Sequence, residues 1–387
     1  MWLATPSGQQ QARLNGFKSR ALRVEAPTQR HLYAAEWRAI DEADGATGAQ
    51  VLTLSGGKSV DCERLASRAP HADWLSRLSD GESAAVALAV AMQRASLAAG
   101  PLFGLEVALA LVQTQAATMP LPKMWLITMG SPTHEGSWGL ARAARAEASL
   151  PVHCIDGAAA AALEQRQPLA EPEAMLGAAA CLVPRLARAR ESTHATNAPA
   201  ASTHVVTGGT GGLGLLTARW LAQRGAARAL ALASRSGGLA RDTAGDWAGV
   251  RATTGVVTLV QRCDTAEGTS VGRLVAHVTE AASAMGVWHV AGVLADGLLA
   301  RQSAAMLARV YGPKAHAAWG MQRGCAALPV RSCALFSSVA ALLGGAGQAN
   351  YAAANSCLDA LALARRAAGS AGVSVQWGPW ALSLIHI

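Results

Sequence analysis

The chain has 387 residues, of which 51% are hydrophobic and 15% are charged, and its net charge is +8. This length allows two or three domains with ample core, and the composition excludes a disordered chain. The arginines are scattered and no basic run is interleaved with aromatic residues. The positive charge therefore favours a phosphorylated cofactor or an acidic partner protein over nucleic acid.

The seven cysteines are widely spaced and form no C-x-x-C pair. This pattern indicates neither a disulfide framework nor a zinc site, so we expect a reducing compartment and no metal. No uncharged apolar run reaches the length of a membrane span, so no membrane partner is expected.

Residues 1–30 carry five basic residues against a single acid, Glu25. We interpret this segment as a linker or the end of an upstream domain, and the localisation as cytoplasmic. A basic transit peptide, which would place the protein in a plastid, is the alternative.

Residues 31–195 have the element order of a doubly wound α/β sheet. The segment has no glycine fingerprint and no convergent acid–base set, so it is predicted to be a structural subdomain. Residues 187–202 lose apolar periodicity and are interpreted as a linker. The predicted elements are strands at His31–Trp37, Val51–Leu54 and Met124–Met129, and helices at about 83–98, 103–117 and 138–147.

A second α/β unit, residues 200–387, begins with a strand at His204–Val206 and continues through a glycine-rich turn into a helix ending near Arg224. Strand, glycine turn and helix together form the context of a dinucleotide site, although an ordinary tight turn remains the alternative. The glycines let the backbone approach a pyrophosphate, and the helix N-terminus offers free amides. The candidate cofactor-binding residues of the turn are Thr207, Gly208, Gly209, Thr210, Gly211, Gly212, Leu213 and Gly214.

The next strand, Ala229–Ala233, ends in Ser234, Arg235 and Ser236. An acid here would bind a ribose hydroxyl and indicate NAD, whereas a cation flanked by hydroxyls suits the 2′-phosphate of NADP. A solvated arginine is the alternative. The sequence therefore favours NADP as the cofactor.

Two further strand ends contribute candidate cofactor contacts. After the strand Val256–Val260 come Cys263 and Asp264, and the aspartate either accepts a hydrogen bond from the adenine amine or caps a turn. After a strand that begins at Val287, the small residues Ala291 and Gly292 leave room for a nicotinamide ring. The segment Leu294–Asp296 then lies at the rim of the predicted site.

Lys314 is one of only four lysines in a chain whose other basic positions are mostly arginine. Because lysine adjusts its pKa and arginine does not, this position is a candidate for chemistry. A surface lysine is the alternative from composition alone.

The strongest candidates for catalysis follow the strand Cys333–Phe336, which ends in two serines, the second being Ser338. A glycine-rich loop leads into an alanine-rich helix with Tyr351 and Asn355, whose i, i+4 spacing puts them on one face. Ser338 and Tyr351 can therefore converge on a carbonyl oxygen, one donating a hydrogen bond and the other a proton.

A strand and turn at Val373–Trp380 follow this helix. A substrate lid is expected at this point, but residues 382–387 do not have the pattern of a lid helix. We therefore expect the sequence to be a fragment that lacks its lid.

With these motifs in place, the chain resembles the ketoreductase (KR) domain of a modular type I polyketide synthase, a branch of the short-chain dehydrogenase/reductases. The resemblance covers about residues 31–381. It implies a truncated Rossmann-like structural subdomain at 31–195 and a catalytic Rossmann subdomain at 200–387. The motifs that carry it are Thr207–Gly214, His289–Leu294, Phe336–Ala340, Tyr351–Asn355 and Trp377–Trp380.

The most specific signal is an exchange of two positions. Ordinary short-chain dehydrogenases place a lysine four residues after the tyrosine, where this chain has Asn355. Polyketide and fatty-acid ketoreductases have their lysine well upstream, where Lys314 lies. The exchange argues against a free-standing alcohol dehydrogenase.

The resemblance implies that NADPH delivers hydride to the β-keto carbon of an acyl chain held on an acyl carrier protein, among neighbouring synthase domains. Tyr351 would give the proton and Ser338 would hydrogen-bond the same oxygen. Lys314 would lower the pKa of the phenol, and Asn355 would organise a water for a proton relay.

The resemblance also implies a stereochemical type. Asp296 keeps the second aspartate of a Leu-Asp-Asp motif whose first aspartate is Ala295 here, and Leu343 stands where the opposite type has tryptophan. Asn350 is also similar to the B-type domains, although Ala346 replaces their usual proline. These positions favour a B-type, D-3-hydroxy product.

Two alternatives remain from the sequence. A non-catalytic scaffold domain of a megasynthase would not need to bind NADPH. A free-standing short-chain dehydrogenase would act on small alcohols with NAD.

Overall fold

The computed structural model describes residues 2–4, 10–13, 33–40, 51–55, 85–89, 100–117, 123–128, 134–157, 171–177, 180–189, 202–239, 243–253, 255–279 and 285–378. Most of the predicted N-terminal linker, residues 190–201 of the predicted interdomain linker, and residues 382–387 lie outside these ranges. The chain divides into a small unit, residues 1–36 and 185–193, and a large unit, residues 37–184 and 194–387. In the small unit, β1 (Trp2–Ala4) pairs antiparallel with β2 (Gln10–Arg13).

Two larger sheets are described, and the described strands of the first run in the order β3-β9-β8-β7-β6-β5-β4. From β4 to β8 the neighbours are parallel, and β9 is antiparallel to β8. The elements are β3 (Tyr33–Ile40), β4 (Val51–Ser55), β5 (Ala85–Ala89), α1 (Gly100–Ala116), β6 (Lys123–Thr128), α2 (Gly136–Ala148), β7 (Val152–Asp156), β8 (Glu173–Leu176) and β9 (Cys181–Arg188).

The helix predicted over 83–98 is wrong where the structure describes that segment, because Ala85–Ala89 is the strand β5. A short apolar run cannot be assigned to a helix or a buried strand by periodicity alone. Parallel pairing with β4 on one side and β6 on the other makes this run a central strand. The predicted helices at 103–117 and 138–147 are confirmed, with longer N-termini.

The second sheet is parallel throughout its described strands and has the order β12-β11-β10-β13-β14-β15. Numbered along the chain this is 3-2-1-4-5-6, the Rossmann order, which places a ligand crevice at the carboxyl ends near β10 and β13. The elements are β10 (Ser202–Thr207), α3 (Gly212–Gln223), β11 (Ala227–Ser234), α4 (Ala244–Arg251), β12 (Val257–Arg262), α5 (Gly268–Thr279), β13 (Met285–His289), a 3₁₀ turn (Leu299–Arg301), α6 (Ala304–Tyr311), a π-helical turn (Gly312–His316), α7 (Ala317–Gly324), β14 (Val330–Ser338), α8 (Val339–Leu343), α9 (Ala349–Ala367) and β15 (Val373–Trp377).

Helix α2 connects β6 to β7 of the first sheet, and it packs directly on α9, which connects β14 to β15 of the second sheet. A Cβ at Gly139 would overlap the backbone oxygen of Ala352, so only glycine permits this approach. The two helices belong to one core in which Trp138 and Leu140 pack with Ala353 and Cys357. The helix that carries Tyr351 is therefore supported by the first sheet as well as by its own. None of the helices described is both long and apolar enough to cross a bilayer.

Candidate active site

Ser338 and Tyr351 come together at the carboxyl edge of the second sheet. Ser338 is the last residue of β14 and the N-cap of α8, where its Oγ accepts a hydrogen bond from the backbone N–H of Ala340 at 3.2 Å. Tyr351 lies in the first turn of α9 and is half-buried. The side chains of Asn355 and Ser338 are near enough to the phenol to lower its pKa. The convergence of strand end and helix predicted from the sequence is thus present.

Burial dominates the titration of the phenol. Burial raises the pKa of Tyr351 above its ordinary value, the side chains of Asn355 and Ser338 act to lower it, and the negative charge of Asp296 raises it further. A phenol in this environment stays protonated at neutral pH. That is the state a general acid needs before it gives up its proton.

Lys314 is buried in the π-helical turn that joins α6 to α7. Its Nζ donates a hydrogen bond of 2.7 Å to the backbone oxygen of Phe336 in β14, and it lies 5.4 Å from the ring centroid of Tyr351. Burial lowers the pKa of Lys314 to about 7, although the carboxylate of Asp359 acts to raise it. The alternative of a surface lysine is therefore wrong.

The effect of Lys314 on the phenol differs from what the resemblance implied. A lowered pKa was expected for Tyr351, whereas its pKa is raised, and Lys314 is not among the groups that lower it. The physical reason is that the ammonium loses much of its charge to burial and donates to Phe336 rather than to the phenol oxygen.

Asn355 lies one turn after Tyr351 and is fully buried. Its Nδ2 donates to the backbone oxygen of Tyr351 at 2.8 Å. Its Oδ1 has no hydrogen-bond partner among the described residues. A buried amide oxygen without a protein partner is suited to hold a water, because burial without a hydrogen bond is costly.

His289 begins one of the motifs named from the sequence but was not predicted as a site residue, and it connects the glycine turn to the Lys314 segment. Its ring bridges the Thr207 hydroxyl, 2.8 Å from Nδ1, and the backbone oxygen of Lys314, 2.9 Å from Nε2. Burial lowers the pKa of His289 to about 3, so the ring is neutral. It thereby fixes the glycine turn relative to the lysine. Its position at the end of β13, just before the small residues Ala291 and Gly292, could have predicted from the sequence that it lies in the site.

The glycine turn has the shape that a dinucleotide requires. Gly208 has a φ of 66°, and a Cβ on it would lie 2.9 Å from the Cα of Ala291. Gly209 donates its N–H to the backbone oxygen of Ala233 at 3.1 Å, and Gly211 is the N-cap of α3. The turn is thus held against β11 and β13, with its helix N-terminus at the crevice. A cradle that a side chain would fill fits a bound nicotinamide dinucleotide.

The residues predicted to bind the 2′-phosphate lie at the end of β11. Arg235 is exposed at the end of β11. Beside it, the Ser234 Oγ accepts from the N–H of Gly237 at 3.1 Å, and the Ser236 Oγ donates to the oxygen of Gly238 at 3.2 Å.

The next strand end caps a turn. Asp264 accepts from the N–H of Ala266 at 3.0 Å, which is the turn-capping alternative considered for it, and Cys263 is buried. Ala291 and Gly292 follow β13, and a Cβ on Gly292 would lie 3.0 Å from the Cε of Lys314.

The three residues assigned to stereocontrol occupy different surroundings. Asn350 is buried and donates its Nδ2 to the backbone oxygen of Ala295 at 2.7 Å. Asp296 accepts from the Gln348 side chain at 3.2 Å. Leu343 is 67% exposed at the end of α8. Asp296 and Asn350 therefore belong to two segments that are hydrogen bonded to each other, whereas the side chain of Leu343 is exposed to solvent.

Comparison with known proteins places these features in a family. Residues 202–382 match the model of the KR domain. The spectinabilin polyketide synthase system protein NorA of Streptomyces orinoci is 38% identical over 276 residues, which are 70% of this chain and 14% of that protein. Polyketide synthase GfsB of Streptomyces halstedii is 46% identical over 181 residues, 46% of this chain and 3% of that protein.

Solved ketoreductase structures have the same fold. An A1-type ketoreductase is 28% identical with a TM-score of 0.77, and the match covers 90% of this chain and 83% of that one. A C2-type ketoreductase from a modular polyketide synthase is 27% identical with a TM-score of 0.76, covering 91% and 85%.

The sheet order, the glycine turn and the converging serine and tyrosine define a nicotinamide-dependent oxidoreductase of the short-chain dehydrogenase class. The chain belongs to the KR domains of modular polyketide synthases. It spans only a small fraction of the curated relatives it matches, 14% of the first. Those relatives come from bacteria, which gives the plastid expectation no support.

Proposed function

We propose that this domain reduces a β-ketoacyl thioester, carried on an acyl carrier protein, to the β-hydroxyacyl thioester with NADPH. The observation that carries the proposal is the meeting of four side chains at the edge of the second sheet: Asn355 and Ser338 act on the pKa of the Tyr351 phenol, and the Lys314 Nζ lies 5.4 Å from its ring centroid. These four groups come from three separate chain segments, and together they can donate a hydrogen bond and a proton to a ketone oxygen.

The catalytic residues handle the oxygen of the substrate. Ser338 donates a hydrogen bond to the ketone oxygen, and Tyr351 transfers its phenolic proton to the same oxygen as negative charge develops there. General acid catalysis contributes roughly 10²- to 10⁴-fold, and one oxyanion-stabilising donor roughly 10²- to 10³-fold. A water on the Asn355 Oδ1 reprotonates the phenol, and Lys314 at the tyrosine ring is the next group along the relay.

The cofactor residues would hold NADPH at the carboxyl ends of the strands. The turn from Thr207 to Gly214 would bind its pyrophosphate, and Arg235 with its flanking serines would bind its 2′-phosphate. Ala291 and Gly292 leave space for the nicotinamide next to Lys314. Bound NADPH supplies the hydride, and the protein supplies position and proton.

We infer that residues 31–195 form a structural subdomain, which supports the catalytic subdomain formed by residues 200–387. The packing of α2 on α9 supports this division, because it buries the back of the tyrosine helix. The partners are the acyl carrier protein and neighbouring synthase domains, as expected for a chain whose relatives are multidomain synthases.

For the stereochemical outcome we propose the B-type, D-3-hydroxy product. Asp296 and Asn350 lie together at the rim, whereas Leu343, at the position of the opposite type's tryptophan, is exposed. The solved neighbours carry different type labels on one fold, so product analysis decides. Reduction of a racemic 2-methyl-3-ketoacyl thioester followed by chiral chromatography tests it, and a predominant L-3-hydroxy product would refute it.

The reductase proposal is tested by following NADPH absorbance with trans-1-decalone, a bicyclic ketone that stands in for the β-ketoacyl thioester. Wild type and Tyr33→Phe, at a tyrosine that is 60% exposed, should oxidise NADPH, and Tyr351→Phe should not. NADPH fluorescence titration, run in parallel, separates the scaffold alternative from the enzyme. Normal cofactor binding without turnover by wild type would overturn the proposal.

A further inference from the structure

Two backbone segments form the rim of the candidate site: residues 295–299, which follow β13, and residues 347–350, which lead into and begin the tyrosine helix α9. One carries Asp296 and the other leads directly into Tyr351. The segments are joined by hydrogen bonds from Gly297 N to Gly347 O at 2.8 Å, from Asn350 Nδ2 to Ala295 O at 2.7 Å, and from Gln348 Nε2 to Asp296 Oδ2 at 3.2 Å. Any group that fixes this pair of segments also fixes the start of the helix that carries Tyr351.

A single carboxylate accepts hydrogen bonds from both segments, and it lies on helix α2, which connects two strands of the first sheet. Glu147 lies in the last turn of α2. Its Oε1 accepts the backbone N–H of Leu299 at 2.6 Å, and its Oε2 accepts the backbone N–H of Gly347 at 2.8 Å. Hydrogen bonds from amides to an ionised carboxylate are among the strong ones in proteins.

The carboxylate is itself held in place by the packing of its helix. Gly139 brings the backbone of α2 against Ala352 in α9, so α2 cannot shift without moving the tyrosine helix. From the same side, the Gln113 Nε2 on α1 donates to the backbone oxygens of Leu299 and Gln302 at 2.8 and 2.9 Å. Helices α1 and α2 therefore both bind the 3₁₀ turn at the rim, α1 through the donor Gln113 and α2 through the acceptor Glu147.

We propose that Glu147 is a positioning residue for ketone reduction: it sets the spacing of the rim segments at 295–299 and 347–350, and with it the orientation in which a ketone meets Tyr351. The inference rests on the proposed reductase function. It assigns to the first sheet a part in substrate orientation, in addition to support.

The geometry requires a carboxylate of this length. A glutamine keeps one acceptor oxygen but turns an NH₂ donor toward the second backbone N–H, so one of the two bonds is lost and two donors face each other. An aspartate keeps both acceptors but is one methylene shorter, so it cannot reach both amides from an unmoved helix. The glutamine substitution keeps the size of the side chain, and the aspartate substitution keeps its charge.

The experiment compares Glu147→Gln and Glu147→Asp with wild type in the full chain. The matched control is Glu106→Gln, which removes a half-buried carboxylate from α1. Amide hydrogen exchange of residues 297–302 and 344–348 reads the rim directly and needs no activity. Steady-state kinetics with trans-1-decalone, NADPH titration and chiral analysis of the product alcohol read the consequence.

Loss of a charge-assisted hydrogen bond corresponds to about tenfold or more in an equilibrium. We therefore expect about tenfold faster exchange at the rim in both Glu147 variants, with exchange in β10 and the NADPH Kd unchanged. The KM for the ketone should rise by about tenfold, the product ratio should shift toward the minor alcohol, and Glu106→Gln should match wild type.

Three results would overturn the proposal: rim exchange equal to wild type, exchange accelerated equally throughout the second sheet, or a loosened rim with unchanged ketone KM and product ratio. If wild type reduces no ketone, but exchange at the rim is still faster in Glu147→Gln, the proposed function is overturned. The contact of Glu147 with the two rim segments is then still supported.

Discussion

The buried lysine makes the sharpest quantitative prediction. Burial lowers the pKa of Lys314 from 10.5 to about 7. At about 1.4 kcal/mol per pKa unit, the folded protein disfavours the charged lysine by about 5 kcal/mol relative to the unfolded chain. Between pH 7 and 10.5 the unfolded chain binds a proton that the folded protein lacks, so stability rises with pH across this window. Below pH 7 both states are protonated and the full cost of burying the charge applies.

The change to make is Lys314→Met, which keeps the length of the apolar stem and removes the ammonium group. Because both pKa values enter the linkage relation, wild type should gain about 2 kcal/mol of stability over the variant between pH 7 and pH 9. Denaturant unfolding of the cofactor-free protein at the two pH values measures this difference, and comparison with the variant cancels every other titrating group.

The pKa itself can be measured by NMR of ¹³Cε-labelled lysine. The chain has only four lysines, so the resonance missing from Lys314→Met assigns the signal. We expect its midpoint near 7. A midpoint near 10.5, or stability curves of wild type and variant that stay parallel from pH 7 to 9, would refute the reasoning and show that water reaches the ammonium.

Three further predictions concern the glycines and the cofactor. Gly208→Ala forces a side chain into a positive-φ turn against Ala291, so the NADPH Kd should rise at least about tenfold; an unchanged Kd in a fluorescence titration would contradict the cradle. Gly139→Ala should lower stability by about 1–3 kcal/mol through overlap in the α2–α9 contact, whereas Gly245→Ala, with open space around it, should not; equal melting temperatures would argue against the packing. Arg235→Ala should raise the Kd for NADPH by about tenfold and leave that for NADH alone, and an equal rise for both would remove the 2′-phosphate contact.

Much of the site could be predicted because its signals are local in the sequence. The glycine turn follows its strand directly, and Tyr351 and Asn355 share a helix face by their spacing. Ser338 was found because it ends an apolar run. Each of these predictions needed only one strand, one turn or one helix.

The contacts that sequence reasoning missed are those between distant segments. Glu147 lies about 150 residues before Leu299 and 200 before Gly347, and nothing in the pattern of α2 indicates which end would meet the rim. The strand β5 was predicted as a helix because an alanine- and valine-rich run has no diagnostic period. The raised pKa of Tyr351 also depends on burial, which only the assembled fold determines.

The central claim is that Tyr351 gives its proton to a ketone oxygen that Ser338 holds. Its most direct test is a single-turnover reaction of the NADPH-bound protein with a β-ketoacyl thioester of N-acetylcysteamine, with the product quantified by mass spectrometry. Wild type is predicted to form the β-hydroxyacyl thioester, and Tyr351→Phe, with NADPH bound equally well, to form about 10²-fold less or lower still. An unreduced ketone with wild type, or equal product from the Phe variant, would contradict the account.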